Sequence, residues 1–292
     1  MRILYVGSVL FSEQCLQKLF SMQQTVVGII SSPNTGINAD YVCLKPLADE
    51  RSIPYYETTQ INAQETLHWA KSRNADVVFC FGWSRLLKKE FLGLAPLGVV
   101  GYHPALLPNN RGRHPVIWAL ALGLNETGST FFFMDEGADT GDIIHQVPVE
   151  IREDDTALEL YYRIMQKALL QIEEWIPQLQ KNTHNRIPQD KLAGNSWRKR
   201  GRLDGQIDWR MSSESIYNLV RALSKPYPGA HFLVNNQEYK VRECRIVDDK
   251  NINFEPGKVL KNELVQFWIK TGNGAVVLVD HDFPGKVLPE YI

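Results

Sequence analysis

The chain is poor in the features that mark stapled, membrane-spanning or polyanion-binding proteins. Only four cysteines occur in 292 residues, Cys15, Cys43, Cys80 and Cys244, and they are scattered without CxxC or Cys/His ligand spacing. That argues against a disulfide framework or a structural zinc site, gives no reason to expect any metal, and fits a reducing, cytoplasmic setting. No apolar run approaches the roughly 20 residues of a membrane-spanning helix. The opening MRILYVGSVLF reads as a short strand ending at Gly7 and Ser8 rather than as a signal peptide. A formal net charge of -1 gives no overall attraction to a polyphosphate backbone, so neither nucleic acid nor membrane is a default partner. The GxGxxG fingerprint is missing too, since Gly7 alone follows the first strand-like run, and a dinucleotide cofactor is not expected.

What is present is material for a core. Hydrophobic residues make up 44% of the chain, enough for one large domain or two ordinary ones. Ile3–Val6, Val26–Ile30, Asp76–Phe81 and Leu97–Val100 read as buried strands, alternating with helix-like stretches near 12–21, 63–71 and 86–92. That alternation predicts an α/β fold with a Rossmann-like, mostly parallel sheet and helices on both faces. A further strand is expected over Ile143–Ile151, then a long helix over Asp155–Leu179 capped by Asp154 or Asp155. Its apolar stripe, Leu158, Tyr161, Tyr162, Met165, Leu169, Ile172 and Ile176, would pack into the core. Residues 1–182 thus form one expected domain, the polar and basic run 183–202 a linker, and 203–292 a smaller, mostly-β, open-barrel (OB-like) domain. The last carries a helix over Ser213–Leu223 and short strands over Ala230–Val234, Tyr239–Ile246, Val265–Ile269 and Val276–Val279.

Candidate chemistry lies in Val99–Gln146. His103 follows a strand-like apolar run, at the place where open α/β sheets deliver residues to a crevice. Asp139 sits in the turn EGADTGD between two strand-like runs. Such a pair suits acyl transfer or hydrolysis, removing a proton from an attacking amine or water and stabilising a tetrahedral intermediate. Pro104, Pro108, Arg111, Gly112, His114 and Pro115 crowd the loop beside it, a density that is costly unless the loop shapes something.

The run HPALLPNNRGRHPVIWALALG, followed by ETGSTFFFMDEGADTGDI and later by DGQIDWRMSSESIYNLVRALSKPYPGAHF, resembles the folate-dependent formyltransferases along nearly the whole chain. The likeness is greatest to the branch acting on nucleotide-linked amino sugars. It implies formyl transfer from 10-formyltetrahydrofolate to a sugar amine, in surface polysaccharide synthesis, without a metal. In that family an Asn and a His steady the oxyanion and an Asp helps remove the amine proton. His103 and Asp139 match the family His and Asp, whereas the family Asn position is Gly101 and the family Ser is Ala105. A backbone N–H near Gly101, the amide of Asn109 or Asn110, or the charged form of His103 would then replace the missing donor.

By the same resemblance, the pterin slot maps to Phe81, Gly82, Trp83, Arg85 and Leu86 and to Asp135, Glu136, Gly137, Ala138 and Asp139. The expected acceptor contacts are Asn109 and Arg111 in the LLPNNRG loop, Arg111 being expected foremost to brace that loop, and Arg221, Lys225 and Tyr227 in RALSKPYPGA, with Arg198, Lys199 and Arg200 as a second cationic group. Residues 31–50 carry a single cation, Lys45, where a tRNA-directed relative would be expected to carry a basic loop. Methionyl-tRNA formylation, hydrolysis of the formyl folate, and a non-catalytic folate or nucleotide-sugar binder remain the other readings. A homodimer is an expectation from the family alone.

Overall fold

Runs of β-branched and aromatic residues uninterrupted by polar ones form strands covered on both faces. In the computed structural model, which describes residues 1–36, 39–263 and 266–292, they run in chain order as β1 (Arg2–Val6), β2 (Thr25–Ser31), β3 (Tyr55–Glu57), β4 (Val77–Cys80), β5 (Val99–His103), β6 (Arg111–Gly112), β7 (Glu126–Phe133) and β8 (Ile143–Glu150). Strands β1 to β5 with β7 and β8 make a seven-stranded sheet of order β3-β2-β1-β4-β5-β7-β8. The β3-β2-β1-β4-β5 pairs are parallel, and β5 pairs antiparallel with β7, His103 lying opposite Thr130. All four residues of β4 are buried. The helices are α1 (Leu10–Ser21), α2 (Lys45–Glu50), α3 (Gln64–Lys71), α4 (Lys89–Leu92), α5 (Pro115–Ala121), α6 (Ala157–Gln180) and α7 (Ser213–Ala222).

The strand order reverses between β1 and β4, which opens a crevice where many α/β proteins seat a nucleotide phosphate. Here the amides that would hold it are taken. Ser12 Oγ accepts from the N–H groups of Ser8 (3.1 Å) and Val9 (3.2 Å) and donates to the Phe81 carbonyl (2.6 Å). The missing dinucleotide fingerprint thus has a structural counterpart: a side chain closes the cradle from within.

The long helix differs from the sequence reading in its cap and in part of its buried stripe. Thr156, rather than Asp154 or Asp155, forms a reciprocal cap: its N–H donates to Glu159 Oε2 (2.8 Å), and Glu159 N–H donates weakly to Thr156 Oγ1 (3.4 Å). Asp155 instead accepts from the Arg152 N–H. The buried stripe is Leu160, Ile164, Met165, Ala168, Ile172, Trp175, Ile176 and Leu179, so Met165, Ile172 and Ile176 lie in the core as expected, while Leu158, Tyr161 and Leu169 are half-buried and Tyr162 is exposed.

By its contacts the chain divides into two units: Met1–Gly112, Gly128–Val149 and Arg163–Trp197 in the first, Arg113–Thr127, Glu150–Tyr162 and Arg198–Ile292 in the second. This division by contacts does not follow the single boundary expected near residue 182. Residues 183–197, read as linker, belong to the first unit. Ile187 exchanges backbone hydrogen bonds with Ile143 (2.8 and 2.9 Å), and β9 (Ser196–Trp197) pairs with β6. The second unit holds β10 (Ala230–Val234), β11 (Gln237–Val247), β12 (Val259–Glu263), β13 (Gln266–Lys270) and β14 (Ala275–His281) in an antiparallel sheet of order β10-β11-β14-β13-β12. Its two edge strands do not pair among the described residues, so the sheet is open. Val265, expected to start a strand, lies outside the described residues. Ser212 caps α7 by accepting from Ser215 N–H (3.1 Å), and α7 packs on β11 and β14. Among the described residues, no helix is long and apolar enough to cross a membrane.

Candidate active site

Strand β5 ends at His103, whose ring is 4% exposed. Its Nε2 lies 2.7 Å from the Asn110 carbonyl. A carbonyl only accepts, so this nitrogen carries the hydrogen and donates. Its Nδ1 faces Asp139 Oδ2 at 3.5 Å. That oxygen also accepts from Gly112 N–H (2.8 Å). Asp139 has φ +58, and Asn110, the histidine's partner, has φ +63. Both lie in the left-handed region, which a non-glycine residue keeps only when its surroundings insist. In the neutral ring with its hydrogen on Nε2, Nδ1 presents a lone pair beside a carboxylate: two acceptors set to receive N–H or O–H groups.

Several of those surroundings come from the stretch expected to be a linker. Asn195 Oδ1 accepts from Asn110 N–H (2.9 Å), and Gln189 Nε2 donates to the carbonyls of Asp139 (3.0 Å) and Gly141 (2.6 Å). Arg111, expected to brace its loop or meet an anionic ligand, is 5% exposed and donates to Gln189 Oε1 (2.9 Å), Ala193 O (3.1 Å) and Asp190 O (3.2 Å). It is a brace. Asn109 is exposed, and its backbone N–H donates to the Leu106 carbonyl (3.0 Å).

Gly101 is the site's departure from expectation. It lies inside the sheet with Cys80 on one side and Phe132 on the other, so its backbone belongs to the ladder rather than to a substrate cavity. A Cβ there would lie 2.7 Å from Met134 Cγ, 3.0 Å from Met134 Sδ and 3.1 Å from Phe132 Cζ. The volume where a side chain would stand is filled by a methionine.

The residues expected around a pterin have unequal roles. Phe81 is fully buried, stacked on Phe79 with its ring edge-to-face with Tyr5 and Phe131, so only its backbone can border a slot. Gly82 has φ +71, and a Cβ there would lie 2.3 Å from Val9 Cγ2. Trp83 is half-buried, and its indole N–H is buried without a partner among the described residues. Arg85 donates to the Thr59 carbonyl, and Leu86 is 61% exposed while its carbonyl accepts from Asn62 Nδ2 (2.9 Å). In the second loop Asp135 Oδ1 accepts from Thr140 Oγ1 (2.5 Å) and Gly137 N–H (3.0 Å), with Lys191 3.4 Å from Oδ2. Burial opposes ionisation of Asp135, but those hydrogen bonds and Lys191 hold its carboxyl below the usual range. Glu136, Gly137 and Ala138 form the exposed rim.

In the second unit, the expected handle Arg221 is 8% exposed. Its guanidinium donates to Asn218 Oδ1 (2.8 Å) and to the carbonyls of Arg152 (2.8 Å) and Asp155 (3.2 Å). It ties α7 to the segment before α6 instead of facing a ligand. Lys225 is exposed and Tyr227 half-buried. The other cationic group is more organised. Trp118 Nε1 donates to the Arg198 carbonyl (3.0 Å), and the guanidinium carbons of Arg200 and Arg198 stand 4.5 and 5.3 Å from the Trp118 ring centre. Arg198 pairs with Asp204. Burial, then the fields of Arg113, Arg200 and Lys199, lower the His114 pKa. The imidazole Nδ1 is buried without a partner among the described residues.

Residues 1–176 match the formyl transferase family model, and residues 202–288 match the model of the formyl transferase C-terminal domain. The chain belongs to the formyl transferase family. This formyl transferase, a one-carbon group transferase, is 30% identical to the methionyl-tRNA formyltransferase of Desulforamulus reducens over 98% of its own length and 91% of the relative's. It is 28% identical to that of Clostridioides difficile, over 100% and 96%. Among solved structures, WlaRD, a sugar 3N-formyl transferase determined with dTDP and 5-N-formyl-THF, superposes with a TM-score of 0.71 at 20% identity, covering 97% of this chain and 98% of that one. The N-formyltransferase of Helicobacter canadensis, in complex with folinic acid and dTDP-3-aminofucose, gives 0.72 at 19%, covering 96% and 98%. At those identities the two structures establish a shared fold.

Sequence reasoning placed His103 and Asp139 in this formyl transferase but missed Gln189, Asn195 and Met134. The first two sit in a polar run whose composition reads as linker. Met134 reads as one more strand residue, because nothing in the sequence shows that it fills the space beside Gly101.

Proposed function

We infer that the enzyme transfers a formyl group from 10-formyltetrahydrofolate to the amine of a nucleotide-linked amino sugar. The observation carrying this reading is the acceptor pair His103 Nδ1 and Asp139 Oδ2, 3.5 Å apart, each held from behind by a backbone partner. Two adjacent acceptors complement the N–H groups of an amine. The donor supplies an electrophilic formyl carbon. As the amine nitrogen bonds to it, the carbonyl π electrons move onto oxygen, and the amine proton passes to His103 or Asp139. Return of those electrons breaks the bond to the folate nitrogen, which takes a proton, leaving an N-formyl product and tetrahydrofolate. The buried, unpartnered indole N–H of Trp83 and the exposed rim at Glu136–Ala138 fit a flat heterocycle with a carbonyl to offer.

The test is mass-resolved turnover of 10-formyltetrahydrofolate with UDP-, dTDP- and GDP-linked amino sugars, beside methionyl-tRNA. A sugar heavier by one formyl group, with turnover abolished in His103→Ala, is the expected result. Formylated methionyl-tRNA, with binding falling steeply as salt rises, would establish instead the reading named by the curated relatives. Formate released without any acceptor would mean hydrolysis.

A further inference from the structure

We propose that Gln189 is a positioning residue for Asp139: its carboxamide fixes the left-handed backbone that aims the carboxylate at His103. This rests on the reading of Asp139 as an acid/base group.

The orientation of the carboxamide follows from its partners. Arg111 can only donate, so the end it meets at 2.9 Å is the oxygen. The nitrogen then has two hydrogens for two carbonyls, Asp139 O at 3.0 Å and Gly141 O at 2.6 Å. A flipped amide would set donor against donor and acceptor against acceptor. Arg111 is itself immobilised by Ala193 O and Asp190 O and is buried, so it gives the carboxamide a fixed anchor.

The loop needs that anchor because its own bonds hold only part of it. Asp135 collects Gly137 N–H and Thr140 Oγ1. At Asp139 the chain turns through φ +58, and the Gln189 bonds fix the carbonyl of that residue and that of Gly141 just beyond it. Gly112 N–H donates to the same carboxylate oxygen, Oδ2, that faces His103 Nδ1. Gln189 touches neither reacting atom; it sets where one of them stands.

The test is a double-mutant cycle in the full chain, using 10-formyltetrahydrofolate and the nucleotide amino sugar turned over in the panel above. Gln189→Ala should lower kcat about 10- to 100-fold, the scale of a misplacement of about 1 Å, with KM for both substrates within about 3-fold. Combined with Asp139→Asn it should add nothing to the loss from Asp139→Asn alone, because the carboxylate being aimed is gone. Gln189→Glu keeps an oxygen for Arg111 but faces two carbonyls with an acceptor, so it should be at least as slow as the alanine variant. The inference fails if either Gln189 variant turns over at the wild-type rate, or if the losses multiply in the double variant, as a general fold effect would make them. An Asp139→Asn enzyme running at full rate would overturn the site reading and the role of Gln189 together.

Discussion

Gly101 and Met134 behave as one packing unit, and that can be measured. An alanine at 101 brings a methyl carbon within 2.7 Å of Met134 Cγ and 3.1 Å of Phe132 Cζ. Phe132 is 2% exposed and Met134 packs against it, Leu107 and Ile143, so relief must come from Met134. Forcing extra carbon into a packed interior costs about 1–3 kcal/mol. Replacing glycine in a strand returns about 0.5–1 kcal/mol of chain entropy. Gly101→Ala should therefore destabilise the first unit by up to about 2 kcal/mol, and at about 2–4 °C per kcal/mol for a unit of this size lower its thermal midpoint by several degrees. In a Met134→Ala background the clash is gone and the same substitution should stabilise, giving a coupling of about 1–3 kcal/mol between the two sites. Unfolding of the four proteins followed by circular dichroism supplies the cycle. A Gly101→Ala effect that is the same whether or not Met134 is present would refute the packing argument. The consequence for catalysis is direct. Gly101→Asn alone cannot seat a carboxamide and should gain no rate, whereas Gly101→Asn with Met134→Ala has room for one. If a donor there contributes the usual share of oxyanion stabilisation, about 10²- to 10³-fold, only the double variant can show it.

Removing the acid/base pair should be severe: Asp139→Asn and His103→Ala are each expected to cost about 10²- to 10⁴-fold in kcat, checked by the same turnover assay. Arg111→Lys loses a planar fork that meets three acceptors and should destabilise the first unit by about 2 kcal/mol or more, seen as an earlier urea transition. Burial lowers the His231 pKa, with Lys240 and Arg202 reinforcing the effect against Glu238. The unfolded chain then binds a proton more readily than the folded one. The stability this histidine contributes is complete above its unfolded value near 6.5 and is lost as pH falls from there through its lower folded value; His231→Gln should flatten that part of the stability profile. Asp135 and Asp204, both held below the usual carboxylate range, contribute stability above about pH 4 that fades as acid protonates them in the folded state. Asp204→Asn should remove its part of the fade in acid titrations of the second unit.

How much of this was legible in the sequence depended on whether a residue's role is local or borrowed. The parallel strands announce themselves, because a strand buried on both faces has no choice but to be apolar, as Val77–Cys80 is. His103 and Asp139 were legible for a related reason: one ends a strand and the other sits in a glycine-bearing turn, and in both cases the neighbours that display the side chain are its neighbours in the chain. The stripe of α6 was read rightly at Met165, Ile172 and Ile176 but missed Leu160 and Ile164, because Tyr161, Tyr162 and Leu158 fit a helical stripe as well, and only the sheet against which the helix packs decides between them. Arg221 was misread in the same way. An arginine on a motif shared with sugar-directed relatives looks like a phosphate ligand until the carbonyls of Arg152 and Asp155, remote in sequence, are seen to occupy it. Residues 183–197 carry the most instructive error. A polar, basic, glycine- and asparagine-bearing run reads as linker because it offers no apolar periodicity, yet polarity is what the loops of β5 and β7 require. Their left-handed turns at Asn110 and Asp139 leave backbone groups that only hydrogen-bonding side chains such as Asn195 and Gln189 can satisfy. A segment whose work is to satisfy another segment's backbone carries no pattern of its own, and its sequence becomes readable only once the loops it serves are in place.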